Sequence, residues 1–458
     1  MASTLTKTTP SRINTQQLAW GVMLSAFAIF CVIAGAAFLG VRYFLFQSRV
    51  PLASIVEVSR GTPTVTMIGQ DLVQTAVTRS GDITAGSVLT TNTESQAVLR
   101  FADPQQTDKV IASVTVGTGS SVNLQQGSRP RFNWSEDPYW IDFEDVYGTI
   151  DVFIPENLGR AVLLSFDTTL GPVARLSESG RYSVIAAGGR VQVANYAGEA
   201  VLDSPDERTQ IVAAGQTGSL PENSSQFTLL PLNNLLGDDK FTIENVVDFN
   251  STPDQVRAQA WRCVNNVDNP DQPLGSFQVT DIDYRSALRL FRGDNAISHG
   301  ETRCWQGLGT AMSGLDVSGY RSISIRATFM IQSQSLSACG VDGSECPLML
   351  SMDYIPNKGD AVSWFHGFYA SVDPSRLFPS GCLSCNEQHE RITPGVWYTY
   401  ESHNLFETFA PDVQPKSILN LRFYASGHQY DVYVNEVTLI ADDVPIAEVP
   451  IGEATPAS

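Results

Sequence analysis

The sequence predicts an all-β protein carried on a single N-terminal transmembrane helix, and three observations predict it. Residues 18–41 form an apolar run without one charge, enough to supply the ~20 residues that cross the hydrocarbon core of a bilayer. Beyond that run, short stretches rich in Val, Ile, Thr, Phe and Tyr are punctuated by Gly, Asn, Asp and Pro at intervals of about eight to twelve residues, the rhythm of a sandwich or barrel. Apart from a turn or two around residues 253–261, no amphipathic helix of globular length interrupts that rhythm.

The flanks place the helix at residues 18–46. Lys7 and Arg12 precede it and Arg42 lies near its end, while Trp20 at one side and Tyr43, Phe44 and Phe46 at the other are the residues expected at membrane–water boundaries. The apolar run exceeds the ~7–15 residues of a cleaved signal core, and no A-x-A-like site closes it, so a retained anchor is expected. The tail 1–17, rich in Thr, Ser and Gln, is expected to be a short disordered cytoplasmic segment. Orientation follows from the cysteines. Cys31 lies inside the helix, and the other six all fall late in the chain. An even number of cysteines in a folded region suits an oxidising compartment. The expected location is therefore the cell membrane, single-pass, with the bulk of the chain extracytoplasmic.

Composition narrows the partners. With 48 acids against 29 bases and a net charge of −19, the chain lacks the basic surface that nucleic acid requires. The charge serves solubility.

Two β domains are expected after the anchor, at 55–217 and 241–445, joined by a linker at 218–240 whose turn residues show no sustained alternation; residues 446–458 are expected to be a disordered tail. In the first domain, residues 95–101, 110–124 and 148–154 alternate well, and the strands of residues 174–220 are joined by glycine-bearing turns. The order GDITAGSVLTTNTESQAVLRF, SSVNL, GTIDVFI, GRYSV, GGRVQVANYAGEAVL and VAAGQTGSL resembles the FecR domain, the β-rich extracytoplasmic module of ferric-citrate-type regulators. The resemblance implies a module outside the inner membrane that passes a signal inward through a cytoplasmic anti-sigma domain. The tail 1–17 is too short for such a domain, so a signalling role would need a protein partner.

The second domain is heavier in aromatics. Its pieces NVVDFNS, SGYRSISIRATF and YDVYVNEVTLIAD resemble the jelly-roll sandwiches of galactose-binding and carbohydrate-binding modules, which implies a glycan or other envelope ligand. Trp261, Trp305, Trp364 and Trp397 lie here, and aromatic rings stack on the apolar faces of sugars. Alternation sends Trp364, His366 and Phe368 to one strand face and Phe365 and Tyr369 to the other. In WYTYE it sets Trp397, Thr399 and Glu401 opposite Tyr398 and Tyr400. The expected ligand-binding residues are Trp364, His366, Trp397 and Glu401; the competing expectation is that these rings fill the core.

Neighbours in sequence give the simplest disulfides, Cys263–Cys304, Cys339–Cys346 and Cys382–Cys385, one of 15 connectivities open to six cysteines. The alternative is zinc on Cys382, Cys385 and His389. A structural zinc takes four ligands, and no metal is expected. No cofactor is expected either, save a structural calcium on Asn266, Asp268, Asp271, Asp281 and Asp283, which offer hard oxygen donors. His299, His366, His389, His403 and His428 are scattered, and no hydrolase elbow, P-loop or dinucleotide fingerprint occurs, so no enzyme is expected. The function expected is a membrane-anchored glycan-binding protein. The alternatives are a signalling component acting through a partner and a self-associating structural envelope protein.

Overall fold

A computed structural model describes residues 15–67, 74–104, 109–237, 239–249, 259–293, 295–375, 379, 381–382, 385 and 388–443. The tails at 1–14 and 444–458, and the turn expected at 253–258, lie outside the described residues. The chain is almost all β, with one long helix, Thr15–Phe46, at its start. Within it, Leu18–Phe46 is long and apolar enough to cross a membrane, and none of that stretch is buried against protein.

The strands gather around two separate apolar cores. The first is built by residues from Leu52 to Leu220, inside a sheet that closes on itself. Its organising element is the strand Tyr139–Ile154. One half runs parallel to Val162–Thr168 and antiparallel to Ser121–Pro130. The other half pairs antiparallel with Val110–Val116 and Gly180–Ala187. A strand can serve two neighbourhoods only if it bends between them, and the bend falls at Gly148, whose φ is +89°. A Cβ there would stand 2.2 Å from Ser120 Oγ, so Gly148→Ala meets both a left-handed backbone and a clash. We expect it to cost more than about 1 kcal/mol, read as a fall in the thermal midpoint of the detergent-solubilised chain; an unchanged midpoint would show that the bend tolerates a side chain.

The second core lies between two sheets. One holds, in order, Ser276–Ile282, Arg285–Arg292, Tyr430–Asp443, Tyr320–Gln334 and Tyr398–Glu401; the other Val246–Asp248, Trp261–Val267, Gly300–Gly307, Pro415–Gly427, Leu348–Pro356, Val362–Tyr369 and Glu390–Arg391. This is a β-sandwich. The segment expected to be a linker is in part paired: Gln216–Pro221 and Thr228–Pro231 complete the first sheet, and Asn233–Asn234 already pairs with Tyr430–Asp443 in the second. Strands this short carry too few residues to show alternation, which is why the sequence reads as loop there.

The two lobes meet over buried charge. Arg326, 4% exposed, sits 3.0 Å from Asp151 of the first lobe and 3.5 Å from Glu401 of its own. Arg181 reaches the other way, pairing with Asp239 at 2.8 Å and Glu436 at 3.0 Å. Arg285 donates to Ser113 Oγ and lies 4.0 Å over the Phe153 ring; burial pushes its pKa down to about 10. Gln96 adds a pair of bonds to the backbone of Thr399, accepting from its N–H and donating to its carbonyl.

Candidate functional site

The site is built on the outward face of the sandwich's second sheet, and a disulfide decides which residues point there. Cys263 and Cys304 are directly opposite each other on neighbouring strands and bonded, both fully buried. Because successive strand side chains alternate, Trp305 must point out where Cys304 points in. The strand's burial alternates accordingly. Register then lines up one row across four strands: Trp305 opposite Arg422, Arg422 opposite Ser351, Ser351 opposite Phe365. At ~4.8 Å between strands, the two rings stand about 14 Å apart, the length of a short oligosaccharide.

At the Trp305 end the face deepens into a cleft of ≈ 380 Å³ lined by Phe249, Val264, Asn266, Arg303, Trp305, Asn420 and Arg422, within the range of ligand pockets. Phe249 is half exposed and tilts against Trp305 with centroids 5.1 Å apart. Arg303 approaches the Trp305 ring at 6.0 Å. Arg422 is held rigid: its Nη2 donates to Ser351 Oγ at 2.8 Å and to Asp353 Oδ1 at 3.2 Å. Asp353 in turn accepts from Asn420 Nδ2 at 2.9 Å and from Ser363 Oγ at 2.5 Å. Arg422 Nε and Asn420 Oδ1 are buried beneath the cleft and have no hydrogen-bond partner among the described residues. Each guanidinium has a carboxylate beside it, Glu301 for Arg303 and Asp353 for Arg422. The cleft is therefore polar but locally balanced in charge, which suits a neutral, hydroxyl-rich ligand.

None of the four expected ligand residues lines this cleft. Trp364 and His366 point inward, 0% and 1% exposed, among Phe368, Tyr400 and Phe329. The parity of that strand was legible, but its core face is the one with the larger rings, because those rings close the gap between sheets. Trp397, 8% exposed, is also corrected: its indole donates to Asp283 Oδ2 at 3.0 Å and lies under Arg285, inside the packing between lobes. Glu401 is half exposed at the lobe boundary beside Arg326. The residues missed were Trp305 and Phe249. The signal for Trp305 was present, since pairing Cys263 with Cys304 fixes its direction.

The other candidates have defined surroundings. The bonds are Cys263–Cys304, Cys339–Cys346 and Cys382–Cys385, which occupies the thiols of the zinc alternative. His389 lies between the last two bonds, its Nδ1 accepting from Gly367 N–H at 2.9 Å and its Nε2 2.8 Å from Gly343 O. Burial, first among the causes, lowers the His389 pKa. The acids offered for calcium face different partners: Asp268 meets His299 at 3.1 Å, and Asp283 meets Trp397 and Arg100.

No family model matches the chain, and no curated protein matches it. Solved structures that match include a protein described as an anti-sigma factor from Parabacteroides distasonis, at 11% identity and a TM-score of 0.24, covering 31% of this chain and 59% of that one. The chain thus spans less than two thirds of that structure. The carbohydrate-binding module TmCBM61, in complex with β-1,4-galactotriose, matches at 10% identity and a TM-score of 0.22, over 46% of this chain and 99% of that one. A family 11 carbohydrate-binding module from Clostridium thermocellum, in complex with a mixed-linked tetrasaccharide, gives 12% and 0.22, over 44% and 96%. At such scores these likenesses carry no argument.

Proposed function

We propose that the chain is a membrane-anchored, non-catalytic glycan-binding protein. In this reading the helix Thr15–Phe46 spans the membrane, both lobes lie in an oxidising space outside the cytoplasm, a location the three disulfides of the distal lobe support, and the proximal lobe is the stalk. The distal sandwich holds a neutral oligosaccharide against Trp305. One observation carries the reading: an outward indole beside an exposed phenylalanine, at the head of a row of fixed polar groups ending in a second ring. A flat ring supplies stacking area, and braced Arg422, Asn420 and Asp353 supply the directional bonds that hydroxyls need.

The test is an array of neutral oligosaccharides probed with the full chain in lipid nanodiscs. Trp305→Ala should weaken binding by about 2 kcal/mol or more, on the order of thirtyfold, while Trp305→Phe retains part of it. Absence of binding to every sugar, or equal binding by Trp305→Ala, would remove the proposal.

A further inference from the structure

The helix ends at Phe46, and only Gln47 and Ser48 separate it from the strand Arg49–Pro51. That strand pairs antiparallel with residues 128–130, and the next residue, Arg131, donates its N–H to Ser48 O at 2.9 Å. The turn 131–137 is thus fastened to the helix exit through backbone. Inside it the rings of Phe132 and Trp134 stack at 4.4 Å and 9°. Phe132 meets the edge of Phe44 on the helix at 5.6 Å, and Arg131 lies 5.3 Å over that same ring. Arg160 braces the turn by donating to the carbonyls of Asn133 and Ser135. Despite this bracing, Trp134 remains 60% exposed, and Trp140, under Arg49 at 4.9 Å, remains 42% exposed.

Depth follows from length. The 29 residues Leu18–Phe46 rise about 43 Å at 1.5 Å each, which matches the ~40–45 Å of a bilayer with its headgroup layers. Phe44 therefore sits at headgroup depth, and so does the ring of Phe132 against it. Exposed tryptophan beside arginine is the composition of that layer.

We propose that the turn 131–137 is a second membrane contact, with Phe132 and Trp134 seated in the headgroup region of the leaflet from which the helix emerges. The inference rests on the reading that the helix spans the membrane. The contact fixes the tilt of the proximal lobe on the bilayer, and with it the direction in which the distal cleft faces. Arg131, Arg160 and Arg49 lie about this turn with Glu136 and Asp137, and the contact itself is made by the two rings.

The full chain in phosphatidylcholine vesicles tests it. Subtracting the fluorescence of the Trp134→Phe chain from that of the native chain isolates Trp134. The isolated signal should be lost to nitroxide-labelled lipid with the label at a shallow position, and should resist aqueous iodide. A chain that stays in the vesicles through an alkaline wash yet shows Trp134 open to iodide and indifferent to the lipid label overturns the membrane contact alone. A chain washed out overturns it together with the spanning helix.

Discussion

Arg326→Met is expected to destabilise the chain by about 3–5 kcal/mol and to split its calorimetric unfolding into two transitions. The magnitude is that of removing one partner from a buried ion pair, because the charges left behind have lost their compensation without regaining water. Here the charge left behind is Asp151, 3.0 Å from Arg326, while Glu436, 3.9 Å away, keeps Arg181 at 3.0 Å. The splitting follows from architecture. Each lobe has its own apolar core, and among the described residues Arg326 is the more buried of two arginines, with Arg100, that pair with a carboxylate of each. Acid should act on the same joint. Burial alone would raise the Glu436 pKa, but Arg181 and Arg326 together outweigh it and hold it below the ordinary glutamate value. A carboxylate depressed in the folded state adds stability above its unfolded pKa, and that stability is lost as pH falls through the folded value. The native chain should accordingly lose lobe coupling only in acid, below the usual glutamate range, whereas the Arg326→Met chain should show weakened coupling already at neutral pH. A single transition at the native temperature in the variant would show that the charges do not join the lobes.

The second large effect separates core from surface. Trp364→Ala empties a site that is 0% exposed, opposite Met352 and beside His366, and should cost about 3–5 kcal/mol. Trp305→Ala removes an outward ring and should change stability by about 0.5 kcal/mol or less, while weakening the proposed glycan binding on the order of thirtyfold. Chemical denaturation of both variants, each also tested on the sugar array, checks the pair of outcomes. If Trp364→Ala kept its stability and lost binding, the sheet faces would be assigned the wrong way round.

Alternation made the strands and their two-sidedness legible, and it placed Trp364, His366 and Phe368 together correctly. It could not say which side was core, because both faces of WFHGFYA carry aromatic rings and only the opposing sheet, through Phe329, Tyr398 and Tyr400, settles that. The disulfide Cys263–Cys304 held the missing information about Trp305, since a bonded pair between adjacent strands has one direction and its neighbours the other. The charged joint was beyond reach for a different reason. Asp151 and Arg326 are 175 residues apart, and neither stands out among 77 charged residues until the lobes are in contact. The helix was the easiest element, because a bilayer-length apolar run needs no tertiary context to be read.

The claim that the ligand sits on the outward sheet face is tested most directly by labelling the seven tryptophans with fluorine and following their NMR resonances, assigned by Trp→Phe replacement, as array-selected neutral oligosaccharide is added to the full chain. The account predicts that the Trp305 resonance moves while those of Trp364 and Trp397 stay in place. A moving Trp364 or Trp397 with a silent Trp305 would contradict it.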